Sequence, residues 1–146
     1  MTQEQKELLF KDICCRLPYG VKAYVKNWSK FNRKWIEDVY TIESIHPSLN
    51  NIFVCSERGS VEVIVGYDDY EIKPYLFPMS IMTEEQCYKL ASIRSGFQDC
   101  WKYIKTPIPL EICNFEQIDW FHRNHFDYRG LIEKDLALDA TYLNIY

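Results

Sequence analysis

Glycine is scarce in this chain, five residues in 146, and no glycine-rich loop exists to wrap a phosphate in backbone amides. There is likewise no GxSxG nucleophile elbow, no HExxH zinc pair, no CxxC and no Cys-His pairing of recognisable type. These absences remove the common phosphate, serine-hydrolase, zinc-protease and thioredoxin-type chemistries. No stretch approaches the ~20 apolar residues that span a bilayer. The opening MTQEQKELLFKDICCRL is charged and amphipathic, unlike an export signal. Seventeen Lys and Arg against 21 Asp and Glu leave a net charge of −4. The chain as a whole does not attract nucleic acid or an anionic membrane, so any such binding needs a local patch.

What is present is hydrophobic and aromatic: 47% and 16% of residues, without repeats or low-complexity tracts. At this length one domain, 1–146, can bury a sufficient core without metals or cross-links. Six cysteines, at 14, 15, 55, 87, 100 and 113, are expected as reduced thiols in a cytoplasmic protein, since no export signal accompanies them. Cys14 and Cys15 diverge by ~100° on a helix, which suits a shared metal poorly. Cys14 is expected as a small buried hydrophobe.

The spacing predicts an α+β protein. A helix is expected over residues 1–18, opened by the capping box Thr2–Gln5, striped by Leu9, Phe10, Ile13, Cys14 and Leu17, and ended by Pro18 and Gly20. Residues 20–73 form the strand-rich part. Val21, Ala23 and Val25 alternate with an outward face of Lys22, Tyr24, Lys26 and Trp28. Further strands are expected over Asp38–Ile45, Asn51–Ser56, Ser60–Val65 and Tyr70–Lys73, giving a small antiparallel sheet or an SH3-like barrel. The segment Ile72–Gln86 is the joint, where Pro74 and Pro78 stop any helix and the capping box Thr83–Gln86 starts one. Residues 83–138 form the helical part: helices over Glu84–Ser95, Phe97–Ile104, Glu116–His125 and Tyr128–Lys134, the last capped by Asp127, with Thr106–Pro109 extended.

Ile72-Lys73-Pro74-Tyr75-Leu76, followed by Pro78-Met79-Ser80 and Met82-Thr83-Glu84-Glu85, forms one recognisable segment. A second comprises Asp119-Trp120, His125-Phe126-Asp127-Tyr128-Arg129-Gly130-Leu131-Ile132-Glu133-Lys134 and Leu136-Ala137-Leu138. Together, about a third of the chain resembles small uncharacterised proteins of gut Bacteroides, their phages and other mobile elements. The resemblance implies an association with such elements; no activity or catalytic residue comes with it. Phe77 stands where the group has a basic residue, Asp135 where it has glycine, and His122-Arg123-Asn124 where it has a different run.

Three constellations could carry chemistry. Lys22, Tyr24, Lys26, Trp28, Lys30, Phe31, Arg33, Lys34 and Trp35 interleave five cations with four aromatics, a composition that meets phosphates and stacks on bases. The plainer account makes Trp28, Phe31 and Trp35 the buried stripe of a short helix. Asp119, His122, His125 and Arg129, beside Asp127, could form a polar site in which adjacent i, i+3 members bind a metal or pass a proton. The plainer account places His125 on an apolar stripe. The acidic turn Tyr67-Asp68-Asp69-Tyr70-Glu71 could hold a cation or a basic partner, but supplies too few ligands for a calcium loop and suits a solvated turn.

The leading expectation is therefore a non-catalytic cytoplasmic binding or adaptor protein, needing no cofactor. It would meet a protein partner or a second copy through aromatic residues, the usual interface anchors. One alternative is a small-ligand, nucleotide or single-stranded nucleic-acid binder using strip 22–35. A second is an enzyme with its polar site at His122, His125 and Arg129.

Overall fold

The computed structural model describes residues 1–29, 32–57, 59–93 and 113–146. The expected helix Phe97–Ile104 and the extended Thr106–Pro109 lie outside them, as do Lys30, Phe31 and Cys100.

Helix α1 (Gln3–Arg16) begins at the expected reciprocal cap, the Gln5 amide donating to Thr2 Oγ1 and the Thr2 amide to Gln5 Oε1. A 3-10 turn over Leu17–Tyr19 and a left-handed Gly20 at φ 65° end it. The stripe is rotated from the expected one. Leu9, Asp12, Ile13 and Arg16 face inward with Phe10, and Cys14 is exposed. Positions 9, 12, 13 and 16 form a true i, i+3, i+4, i+7 face, and two of its members are charged.

Strands β1 (Lys22–Ser29), β2 (Lys34–His46), β3 (Asn51–Ser56), β4 (Gly59–Ile64) and β5 (Tyr70–Leu76) pair antiparallel, and a two-residue β6 (Leu138–Asp139) joins β5 in parallel. The order is β4-β3-β2-β1-β5-β6, so the sheet is mixed; among the described residues no ladder joins β4 to β6. α1 covers one face, where Leu9, Phe10 and Ile13 share a core with Val21, Ala23, Val25, Ile42, Ile52, Val54, Val63 and Ile72. A second cluster gathers Met79, Met82, Phe121, Phe126 and Tyr128 with Cys87, Leu90 and Ala91 of helix α2 (Glu84–Ser92). Phe121 belongs to helix α3 (Phe115–Arg123).

β5 does not stop before Pro74. Opposite β1, bonded rungs alternate with unbonded ones. The Trp28 amide donates to Asp69 O at 3.0 Å, so the bonded pairs going up the ladder are Lys26–Glu71 and Tyr24–Lys73. Pro74 then falls opposite Ala23 at an unbonded position, where its missing N–H costs the ladder nothing. The next bonded rung, Lys22 to Tyr75, is bridged by a side chain: the Tyr146 hydroxyl accepts from the Lys22 amide (3.1 Å) and donates to Tyr75 O (2.8 Å).

Among the described residues the C-terminal part is less helical than expected. α2 stops at Ser92 and α3 at Arg123. Asp127 does accept the Leu131 and Ile132 amides, each at 2.8 Å. Tyr128–Lys134 nevertheless forms turns and no helix, because Gly130 at φ 68° and Asp135 at φ 58° carry the chain through left-handed conformations. No described helix is long and apolar enough to cross a membrane.

Tyr146→Phe keeps the ring and removes the bridge between β1 and β5. We expect a loss of about 1 kcal/mol in urea unfolding, as for a typical hydrogen bond, with the slope unchanged; no change in midpoint would show the rung to be bridged equally well without the phenol.

Candidate functional site

The basic-aromatic strip is a β-hairpin, not a helix. In register, Trp28 faces Trp35, Lys26 faces Glu37, Tyr24 faces Val39 and Lys22 faces Thr41. Their side chains therefore share the sheet face opposite α1. This overturns the reading of Trp28, Phe31 and Trp35 as one helical stripe: Trp28 and Trp35 meet across two strands, centroids 5.5 Å apart at 70°, an edge-to-face pair. The i, i+7 spacing that suggests a helix comes from seven residues of strand, turn and strand. Trp28 is half-buried and Trp35 is 43% exposed; Val39, two rungs further along the same face, is 39% exposed. Arg33, exposed in the connecting turn, takes φ 51°.

The cations of this face are largely met by carboxylates. Lys26 Nζ lies 3.0 Å from Glu37 Oε1 and 5.3 Å from the Trp35 ring centroid. Lys73, on β5, lies 3.2 Å from Glu71 and 2.6 Å from Asp135. Burial and a hydrogen bond to Glu37 push the Tyr24 hydroxyl up to about 12, while bonds from Lys26 and Tyr24 hold the Glu37 carboxyl below its ordinary range. A phosphate approaching Lys26 or Lys73 would meet anionic oxygens as well as the ammonium.

The second constellation is only partly brought together: His122 and Arg129 meet at the Tyr128 hydroxyl, while Asp119 and His125 take other partners. Asp119 accepts from Tyr19 Oη and from Arg123 Nη2 (2.9 Å). His122 Nε2 is 2.7 Å from Tyr128 Oη. His125 lies beyond the end of α3, in a left-handed conformation at φ 56°, and stacks on the Tyr146 ring at 3.8 Å and 13°. The helical spacing expected of the two histidines is lost at Arg123. Arg129, its side chain 6% exposed, donates from Nε to Tyr128 Oη (2.8 Å) and stands 3.6 Å from Asp12 Oδ1.

Sequence reasoning missed the centre of this cluster, Asp12 and Arg16. Both are fully buried, with Arg16 Nε 2.6 Å from Oδ2 and Nη2 3.1 Å from Oδ1, a two-pronged pair. Nη2 also donates to Phe126 O at 2.8 Å and Nη1 to Phe121 O at 3.4 Å. Burial alone would lower the Arg16 guanidinium; the adjacent Asp12 carboxylate more than offsets that and holds it above its ordinary value. The available signal was an Asp-to-Arg spacing of four on the Leu9–Ile13 face, but such pairs are usually solvated.

Both histidines are poor proton shuttles near neutrality. Burial first, then the Arg16 cation, lowers each to about 4. Asp127 is shifted upward by burial, against the two amide bonds that lower it. Among the described residues no three His, Cys, Asp or Glu side chains converge as a metal site requires. The turn at Tyr67, Asp68 and Asp69 is exposed.

Because both histidines titrate lower in the fold than the ~6.5 of an unfolded chain, the unfolded state binds the extra protons between about pH 6.5 and 4. Their stabilisation is complete above that window and is lost as pH falls through it; Asp127, shifted the other way, opposes this near the lower end. Urea midpoints should therefore fall from pH 7 to pH 4.5, and the fall should be smaller in His122→Gln/His125→Gln; an equal fall in both proteins would assign the acid sensitivity elsewhere. Comparison with known proteins finds no matching family model, no matching curated protein and no matching solved structure.

Proposed function

We propose that this chain is a non-catalytic cytoplasmic binding protein, carried by a mobile element or its host, that docks another protein on the outer face of β1, β2 and β5. The supporting observation is the half-exposed Trp28–Trp35 pair, followed along the same face by the Lys26–Glu37 ion pair and, on β5, the Lys73–Glu71 pair. An aromatic centre within a rim of paired charges is the anatomy of an interface hot spot. The mobile-element part rests on the resemblance of segments 72–85 and 119–138.

The alternative user of Lys22, Tyr24, Lys26, Trp28, Lys30 and Arg33 is a single-stranded nucleic acid. It is disfavoured by the carboxylates of Glu37 and Glu71, which stand on either side of Lys26, the cation nearest the tryptophan pair. The enzyme reading is disfavoured because His122 and His125 are turned to separate partners and held neutral by burial.

Trp35→Ala removes an exposed ring and should leave the fold intact while weakening capture of the wild-type chain's partner at least tenfold, a hot-spot loss of ~1.4 kcal/mol or more. Tyr142→Ala, equally conservative at another exposed position, should not. A wild-type chain that sediments as a monomer and captures nothing that Trp35→Ala fails to capture overturns the proposal. Steeply salt-dependent quenching of tryptophan fluorescence by short oligothymidylates would transfer the strip to nucleic acid.

A further inference from the structure

The edge of β5 facing away from β1 opens on a cleft of about 580 Å³, within the size range of ligand sites. Trp35 and Lys26 line it on the outer face, Tyr67 and Asp68 at one end, and Lys134 and Asp135 at the other. The cleft is thus continuous with the aromatic face. Since Glu71 and Lys73 turn their main-chain groups toward β1, Tyr70 and Ile72 turn theirs toward the cleft, and Pro74 turns its carbonyl toward β6. The Tyr70 amide is taken by Tyr67 O at 3.1 Å, and Pro74 has no N–H. The Pro74 carbonyl is taken by β6, whose parallel register at Tyr75–Leu138 sets the Leu138 amide on it; among the described residues the Ile72 amide and carbonyl and the Tyr70 carbonyl remain to bond something outside these two ladders.

The same edge already accepts an extended segment one step further along. β6 pairs in parallel with Tyr75 and Leu76 through Leu138 and Asp139. The chain before β6 leaves the edge: Asp135 turns at φ 58° and reaches back only through its side chain, 2.6 Å from Lys73 Nζ. The cleft is the space that this departure leaves beside residues 70–74.

We propose that an extended segment of the partner protein enters this cleft and adds a strand to β5, bonding main chain to main chain at Ile72 in line with β6. The inference rests on the protein-docking reading and names what docks. At ~3.3 Å per residue the edge accommodates four or five residues. Lys26, Lys73 and Lys134 balance Asp68, Glu71 and Asp135 among the lining side chains, so the segment is of low net charge. Alternate side chains would lie over Glu71 and Lys73 on the outer face and toward Val65 and Leu136 on the other, which favours apolar residues at every second position.

The test pans phage-displayed random linear decapeptides on the full chain, then synthesises the enriched sequence with single backbone amides methylated in turn. Strand addition predicts a loss of tenfold or more for methylation at alternate amides and little between them, together with at least tenfold slower hydrogen exchange of the Ile72 amide in the complex. Tyr67→Ala, at an exposed wall of the cleft, should weaken the peptide without altering the unfolding midpoint. A peptide that requires Trp35 but tolerates methylation everywhere and leaves Ile72 exchange unchanged overturns strand addition while keeping the docking surface. Failure to enrich any linear peptide above empty phage also overturns it, and leaves the docking surface to the Trp35→Ala comparison.

Discussion

The interaction on which the rest of the structure depends is the buried contact between Asp12 and Arg16. One guanidinium satisfies a carboxylate on its own helix and two carbonyls, Phe121 O and Phe126 O, at and just beyond the end of α3. It therefore joins the sheet core under α1 to the second core under α2 and α3. Such a pair is no guarantee of net stability, since desolvating two ions costs several kcal/mol each; removing one member is worse, at roughly 3–5 kcal/mol, because the other is left buried and alone. What it supplies is position. The fork fixes α1 relative to the end of α3, and Arg129 beside Asp12, with Tyr128 between Arg129 and His122, builds outward from that point.

From this joint the two faces of the sheet acquire different work. The face under α1 is aliphatic and closed, whereas the opposite face carries Tyr24, Trp28 and Trp35 with paired charges. Placement of Pro74 at an unbonded rung lets β5 continue to Leu76, where Phe77 takes over by exchanging main-chain bonds with His125 and Asp127. The same rule that keeps Pro74 harmless on the β1 side leaves the far edge of β5 short of a donor. A proline at an edge discourages indiscriminate pairing, so any strand added at Ile72 would have only a short stretch to pair with.

Local physics was legible in the sequence. The boxes at Thr2–Gln5 and Thr83–Gln86 involve residues three apart and appear as expected; Asn114–Gln117 follows the same grammar and could have been read. Alternation through Val21, Ala23 and Val25 marked the buried face of β1, because period two has no helical counterpart. What failed needed partners distant in sequence. Trp28 and Trp35 suit a helix by spacing, and only the turn between them makes a hairpin. Asp12 and Arg16 look like a solvated pair until Phe121 and Phe126 supply their carbonyls. His125 belonged to a helix by periodicity, but a left-handed residue ends that geometry at once. The candidate surface was therefore visible as composition, and its neutralising carboxylates were not.

The phenol of Tyr146 gives the sheet a late-arriving part. Its hydroxyl completes a rung whose donor, Lys22, lies 124 residues earlier in the chain, and whose acceptor, Tyr75, lies 71 residues earlier. During synthesis β1, β2 and β5 can pair while that rung is still open, because contacts near in sequence close faster than distant ones. In the folded sheet Tyr146 is a pin, fastening two strands that lie far from it in sequence.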